Sequence, residues 1–339
     1  MAGSNRRNFF RQAAAEAVRG ARQVIPFVDP LADLVETSPA PATKVLPLAE
    51  EKRRIEPATP TSHSASVDEM LAIAGELGLA SRTEDLRRLA VSSARMTPTT
   101  DAGGSSFAGG EPTLPAAVGV PDFEGGPARF VALLDLPESG RLWIFRSAPD
   151  PGNANLTEAS DAASLQAGAV FEASSACASS GLIPHPVGAR SLSTSRELTL
   201  PRPWSTAVEP LALSPAEQDS WQDLRTRLAA IQGVPLGESA QPYAAIHRIR
   251  GYPDERRGDM PLICELRLLG VDLGGRPPAA HPLAGALEGK SGNWRLLAQL
   301  AADDELGWSW GSRFQRLYVW GHSEDPASDE YDSVQAVIQ

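Results

Sequence analysis

The stretch RFVALLDLPESGRLWIFR, residues 129–146, carries the clearest fold signal in this 339-residue chain. Two runs of branched and aromatic residues flank the turn-forming segment PESG, which is the pattern of a β-hairpin. Shorter apolar runs predict further strands at 169–173, 197–200, 243–249, 262–268, 294–300, 315–320 and 333–338. Helix and strand signals are segregated rather than alternating, so we predict an α+β fold, mainly antiparallel β with peripheral helices.

Helix start signals stand out at three serines. Ser66 and Ser81 each precede a glutamate by three residues, which matches the capping box and predicts two helices within 66–96. Ser214, Pro215 and Glu217 predict a third helix, which Gly233 would end.

The two halves of the chain repeat a pattern. A Gly-x-Pro turn precedes an apolar strand and then an aromatic strand, first from residue 109 and again from residue 251. We interpret this as an ancient duplication, with pseudo-repeats at about 106–200 and 240–339. Two roll-like lobes would result, and the cleft between them would be a favoured place for a ligand.

The N-terminal region differs in composition from the rest. Residues 1–25 predict an amphipathic basic helix, 26–65 a Pro-rich tether, and 66–339 the globular domain. The pair Arg6-Arg7 resembles a twin-arginine export signal, but charged residues interrupt the apolar stretch that such a signal needs. No run approaches the roughly 18 apolar residues of a membrane span. We therefore predict a cytoplasmic protein.

Charge and cysteine content exclude several classes of function. The net charge of −11 opposes general nucleic-acid binding, which needs a basic surface. Two cysteines, Cys177 and Cys264, make neither a disulfide framework nor a structural zinc site unaided, and Cys264 in an apolar run suggests a buried thiol. We predict no cofactor and no metal. A protein partner would bind the N-terminal helix or the acidic surface of 301–339.

Polar residues near the second Gly-x-Pro turn form the candidate site. His247 is either a core histidine or a general base, and Asp303 begins an acidic triplet that either forms a turn or binds a ligand. Strand end and turn could meet at one rim of the cleft around a small polar or cationic ligand. The candidate ligand-binding residues are His247, Tyr252, Asp254, Gln299, Asp303, Asp304 and Trp310. The sequence contains neither a nucleophile elbow nor a phosphate-binding loop with its lysine.

Several segments resemble one protein family. HRIRGYPD at 247–254, NWRLLAQLAADDEL at 293–306 and YDSVQAVIQ at 331–339 are similar to the YwqG-like family, a bacterial domain of unknown function. The resemblance extends over about residues 106–339. It implies a mainly β roll-like domain with helices and no established reaction. The family usually has a glutamine where Leu134 stands, and its counterpart in the second half, Gln299, is retained.

Two functions from different classes follow as hypotheses. The first is a binding or protein-interaction module without catalysis. The alternative is a hydrolase or transferase with a polar site around His247 and Asp303.

Overall fold

The computed structural model describes a large part of the chain beyond residue 62. The described residues are 63–100, 104–112, 114, 120–121, 123, 128–136, 139–147, 167–172, 188–234, 246–255, 260–271, 273, 277–287, 290–310, 315–324 and 331–339. The chain divides into two compact units, Met1–Pro57 and Ala58–Gln339, and every described residue belongs to the second. The predicted basic helix at 1–25, and the predicted tether up to residue 62, lie outside the described residues.

The described strands form one ten-stranded antiparallel sheet. They are β1 (Val91–Thr99), β2 (Phe107–Ala108), β3 (Ala128–Leu136), β4 (Gly140–Ser147), β5 (Ala167–Glu172), β6 (Arg190–Thr199), β7 (His247–Ile249), β8 (Trp294–Ala301), β9 (Arg316–His322) and β10 (Ser333–Ile338). Their order is β10-β9-β8-β7-β1-β6-β2-β3-β4-β5. The outer strands β5 and β10 approach within 8 Å between Cα atoms, so the sheet curls into a nearly closed barrel.

This arrangement confirms a mainly antiparallel β fold with a few helices. It does not give the two separate lobes expected from the sequence, because β1 and β6 pair at the centre and join both halves into one continuous sheet. The described strands therefore form no cleft between lobes. The predicted hairpin at 129–146 is present as the β3–β4 pair.

The described residues include five α-helices: α1 (Val67–Glu76), α2 (Thr83–Leu89), α3 (Pro215–Ile231), α4 (Met260–Leu268) and α5 (Ala284–Leu287). The capping box predicted at Ser214 is confirmed, because its hydroxyl accepts from the Glu217 N–H and its own N–H donates to the Glu217 carboxylate. Ser66 caps α1 by accepting the Glu69 N–H, but the Glu69 carboxylate bonds His63, so only half of the predicted capping box is present. Ser81 does not cap α2: Arg82 is the N-cap, without a side-chain hydrogen bond.

The strand predicted at 262–268 is wrong, because this segment is helix α4. Its apolar residues recur at four-residue spacing on two faces. Met260 and Cys264 pack against β8, β9 and β10, while Leu262 and Leu266 pack against α5. A helix that is apolar on two sides gives a continuous apolar run, which cannot be distinguished from a buried strand by periodicity alone.

The interior of the curled sheet holds the main apolar core. Side chains from β1–β4 and β6–β9 meet there, and the loop after β8 adds Leu306, Trp308 and Trp310. A second core lies between α1, α2, α3 and the end of β6. Most of the polar residues of the candidate ligand site therefore lie outside this apolar core, at strand ends and in turns.

The β3–β4 and β8–β9 pairs share an irregularity. The register of each pair shifts at one bulged position, between Phe130 and Ala132 in the first pair and between Leu296 and Ala298 in the second. A bulge adds one unpaired residue and increases the local twist. The two hairpins therefore bend at corresponding places.

The turn before each hairpin also corresponds. Gly109–Gly110 and Arg250–Gly251 both have two successive positive φ angles, 66° and 74° in the first and 59° and 75° in the second. The first N–H of each turn donates to the bulged residue of the next strand, from Gly109 to the Val131 carbonyl at 2.9 Å and from Arg250 to the Leu297 carbonyl at 3.0 Å. Counted from the bulged residues, Gln299 is two positions beyond Leu297 and Leu133 is two positions beyond Val131, whereas the sequence comparison set Leu134 against Gln299.

Candidate functional site

His247 opens strand β7 and is buried, with 1% of its surface exposed. Its Nδ1 accepts the backbone N–H of Ala301 at 3.2 Å, so the ring proton is on Nε2. Nε2 in turn donates to Oδ2 of Asp303 at 3.0 Å. The ring also meets Trp308 edge to face, with centroids 4.8 Å apart. Both ring nitrogens are therefore engaged within the protein.

Asp303 organises the turn that follows β8. Its Oδ1 accepts the N–H groups of Glu305 and Leu306 at 2.9 and 3.1 Å, and its backbone pairs with Trp308 through two hydrogen bonds of 2.8 Å. The hydrogen bond from His247 lowers the pKa of Asp303, burial opposes this, and the two N–H donors add to the decrease. The neighbouring Asp304 is exposed. Asp303 thus has the bonding pattern of a turn-capping residue.

Gln299 connects β8 to both ends of β7. The side chain has no exposed surface. Its Oε1 accepts the Asp254 N–H at 2.7 Å, and its Nε2 donates to the Ile246 carbonyl at 3.2 Å. The amide therefore holds the segment before β7 and the turn after it against β8.

Asp254 ends that turn between two arginines. Arg202 donates Nη2 to Oδ1 at 2.7 Å, and Arg316 donates Nη1 to Oδ2 at 2.8 Å. Its carbonyl accepts the Tyr318 hydroxyl at 3.0 Å. Burial alone would raise the pKa of Asp254, but the guanidinium charges of Arg316, Arg202 and Arg248 outweigh it and hold the pKa at about 2. The carboxylate is therefore charged, and each of its oxygens accepts a hydrogen bond from one arginine.

Tyr252 and Trp310 complete the predicted set. The Tyr252 N–H donates to Thr199 Oγ1 at 3.1 Å, and its carbonyl accepts Nη1 of Arg248 at 2.9 Å. Burial raises the pKa of the Tyr252 phenol. Trp310 lies in the barrel core with no exposed surface. Trp310 is thus a core residue, while Tyr252 belongs to the turn held by Asp254.

The structure brings the candidates together as two groups, not one. His247 and Arg248 are successive in β7, so their side chains point to opposite faces of the sheet. Arg248 is the register partner of Gln299, which places Gln299, Asp254 and Tyr252 on its side. His247 and Asp303 lie on the other side, against Trp308. The candidate residues therefore do not meet at one rim of a cleft, which is what the sequence analysis expected.

A charged group that sequence analysis missed lies between α3, β6 and β7. Arg248 donates Nε to Oε1 of Glu197, which also accepts the hydroxyl of Ser93 at 2.8 Å. Arg225 of α3 and Arg248 line a cavity of about 30 Å³ beside this pair. Arg248 stands in the HRIR segment, but nothing in the spacing connects it with Glu197 or Arg225, which are far away in sequence.

The described residues contain no group of three or more His, Cys, Asp or Glu side chains placed to hold a metal ion. Cys264 is fully buried and its pKa is raised by burial, which suits a core thiol, as the sequence suggested. Cys177 lies outside the described residues. Among the described helices, none is long and apolar enough to cross a membrane.

A family model described as a domain of unknown function (DUF1963) matches residues 106–339. Since the match covers more than half of the chain, the protein belongs to the DUF1963 family. No curated protein matches the chain. The family description names no reaction, ligand or partner, so a functional proposal must rest on the residues.

Proposed function

We propose that this DUF1963 protein is a binding module that recruits a protein partner and catalyses no reaction. The observation that carries the proposal is the bonding of His247, whose two ring nitrogens are both engaged and whose surface is 1% exposed. A general base must accept a proton from a substrate within hydrogen-bond reach. A buried ring whose only lone pair already accepts an N–H has none to offer.

The alternative, a hydrolase or transferase, draws on the His247–Asp303 pair. A carboxylate that orients a histidine is part of many hydrolytic sites. Here, however, the carboxylate binds Nε2 and a backbone N–H takes Nδ1, so neither nitrogen remains for a nucleophile or a substrate. We therefore favour binding over catalysis.

The surface around the end of α4 supports a protein partner. Leu268, Leu269 and Leu283 are 45%, 56% and 43% exposed. The first two end and follow α4, and the third precedes α5, which packs against α4. We call these three residues the leucine surface; exposed leucines on two helices that pack together suit a contact with an apolar partner surface. The predicted helix at 1–25 and the acidic C-terminal surface would then be additional contacts, not the principal one.

Quantitative affinity capture from native lysate tests this proposal. The full chain should retain a stoichiometric partner, and the double variant Leu268→Ser, Leu269→Ser should reduce its recovery about tenfold. Val91→Ser is the matched control, since Val91 is 37% exposed on strand β1. Equal recovery by both variants would contradict the leucine surface, and the absence of any stoichiometric partner would contradict the binding proposal itself.

We also infer that the two halves of the sheet arose by duplication. The corresponding bulges and the paired positive-φ turns support this, as does the position of β1 and β6 at the centre of the strand order. Placement of this chain among YwqG-like proteins, and in the cytoplasm, is likewise our inference and rests on the sequence segments quoted above.

A further inference from the structure

Strands β5 and β10 are the two edges of the sheet, and among the described residues they come close to each other without pairing. Each has a single neighbour in the strand order, β4 for β5 and β9 for β10. Their Cα atoms approach within 8 Å, whereas the Cα atoms of paired antiparallel strands are about 4.5–5.5 Å apart. A seam therefore remains where the barrel would close. It is too narrow for a further strand, which would need about 9–10 Å between its two neighbours.

The backbone of β10 turns every second residue toward this seam. Arg316 and Gln339 exchange two hydrogen bonds, of 2.8 and 3.0 Å, at one end of the β9–β10 pair. Because bonded and non-bonded pairs alternate along an antiparallel ladder, Ala336, three residues before Gln339, turns its N–H and carbonyl away from β9. The edge of β10 toward β5 thus presents the backbone groups of Val334, Ala336 and Ile338.

An arginine of α4 occupies this edge. Arg267, in the last turn of the helix, donates Nη1 to the Ala336 carbonyl at 2.7 Å. Helix α4 reaches this position because it packs on the outer face of β8 and β10, where Cys264 and Val337 belong to one apolar cluster. The guanidinium group thus takes the acceptor that an N–H of β5 would bond if the two strands paired. Charged side chains on edge strands are a common means of preventing strand pairing.

We propose that the seam is a closable gap and that Arg267 holds it open. In the open state, which this structure has, Arg267 bonds Ala336 and the edges of β5 and β10 stay apart. In the closed state Arg267 leaves this carbonyl, β5 pairs with β10, and the barrel becomes continuous. Backbone groups on the seam side of both strands gain hydrogen-bond partners on closure, which stabilises the closed state.

The side chains at the seam are compatible with closure. Ala167, Ala169 and Ala336 pack against the main core and are only partly buried. Their small methyl groups leave room for the two backbones to approach, and pairing would remove their exposed apolar surface from water. The gap belongs to the domain itself, and its test needs no partner, so the outcome is independent of the proposed binding function.

Hydrogen–deuterium exchange of the full chain, resolved to single amides within 331–339, tests the proposal. In the wild type, the amides of Val334, Ala336 and Ile338 should exchange at rates close to those of an unfolded chain, because they face the seam without an acceptor. In Arg267→Ala the seam is free to close, so the same three amides should exchange at least tenfold more slowly.

Arg227→Ala is the matched control, because Arg227 is also an exposed helical arginine and bonds Glu76 of α1 rather than β10. Arg267→Lys keeps a charged donor at the edge and should retain the wild-type rates. Circular dichroism checks that each variant is folded. Slow exchange of the three amides already in the wild type, or unchanged or faster exchange in Arg267→Ala, would overturn the proposal, as would equal slowing in Arg227→Ala or Arg267→Lys.

Discussion

Asp254 is the residue at which three distant parts of the chain meet. Its carboxylate joins Arg202, which follows β6, to Arg316 at the start of β9, and its N–H bonds Gln299 of β8. A carboxylate held between two guanidinium groups fixes the turn after β7 in one position. Each carboxylate oxygen is thereby bonded to one arginine of this chain.

The pKa of Asp254 predicts a pH dependence of stability. Its pKa is about 2 in the folded protein against 3.8 for the unperturbed group. A depressed carboxylate stabilises the native state above the unfolded pKa, and this contribution, about 2 kcal/mol, is lost as pH falls from 4 toward 2. Urea unfolding of wild type and Asp254→Asn at pH 6 and pH 2.5 measures the difference between them. The difference in unfolding free energy between the two proteins should be smaller at pH 2.5 than at pH 6. An equal difference at both pH values would rule out the Asp254 charge as its source.

Sequence patterns drew attention to His247, Gln299 and Asp303 individually, but they did not predict which residues these side chains bond. His247 could be placed in an apolar strand, yet Asp303 reaches it from 56 residues away through a turn. Strand β8 pairs with β7 so that Gln299 stands opposite Arg248 and not opposite His247. This register is a tertiary feature without a local sequence signal, so the division of the candidates between two faces could not be predicted.

At the scale of elements, the turn after β7 is the most constrained connection. Gly251 has a φ of 75°, and a Cβ at this position would lie 2.6 Å from the Ser93 Cβ and 2.7 Å from the Thr199 Oγ1. Thr199 Oγ1 also accepts the Tyr252 N–H. The glycine is therefore required both by its backbone conformation and by the close approach of β1 and β6.

Gly251→Ala should lower the free energy of unfolding by about 3 kcal/mol, from the strained φ and the clash together. Gly270→Ala is the matched control, because Gly270 has a φ of 74° but nothing within 4 Å of its Cβ position. It should lose about 1 kcal/mol, from the backbone conformation alone. Chemical denaturation measures both variants, and equal losses would show that the close approach of Ser93 has no consequence.

Sequence patterns predicted some elements well and others not at all. The hairpin at 129–146 and helix α3 have strong local signals, which are a short turn between apolar runs and a capping box. Strand β1 was missed because VSSARMTPT is largely polar, and its pairing with β6 and β7 is a tertiary effect. The error at α4 arose since its helix is apolar on two faces.

At the scale of the whole molecule, the chain divides into two compact units of very different length. Met1–Pro57 forms one, and Ala58–Gln339 contains the whole described sheet. The sequence predicted different bounds, a helix at 1–25, a tether at 26–65 and a globular domain at 66–339, and that division stays a prediction. The sequence also indicated two related halves, but the joining of both halves through β1 and β6 required the strand order, which no local pattern contains.

Removal of residues 1–62 should leave the melting temperature within about 2–3 °C of the full chain, the shift expected for a change below 1 kcal/mol in a domain of this size. The reason is that the described cores are built from residues beyond 62. Differential scanning calorimetry of the two chains makes the comparison. A large decrease would mean that the N-terminal segment is part of the folded domain.

If His247 and Asp303 hold the fold together and do no chemistry, as we propose, the unfolding free energy of His247→Ala shows it most directly. The substitution leaves the Ala301 N–H and the Asp303 carboxylate without their buried partner, so we predict a loss of about 3 kcal/mol in urea. His63→Ala is the control, because His63 is exposed and its pair with Glu69 should contribute less than about 1 kcal/mol. A His247→Ala protein as stable as the wild type, or more stable, would contradict a structural role for His247 and favour a catalytic histidine.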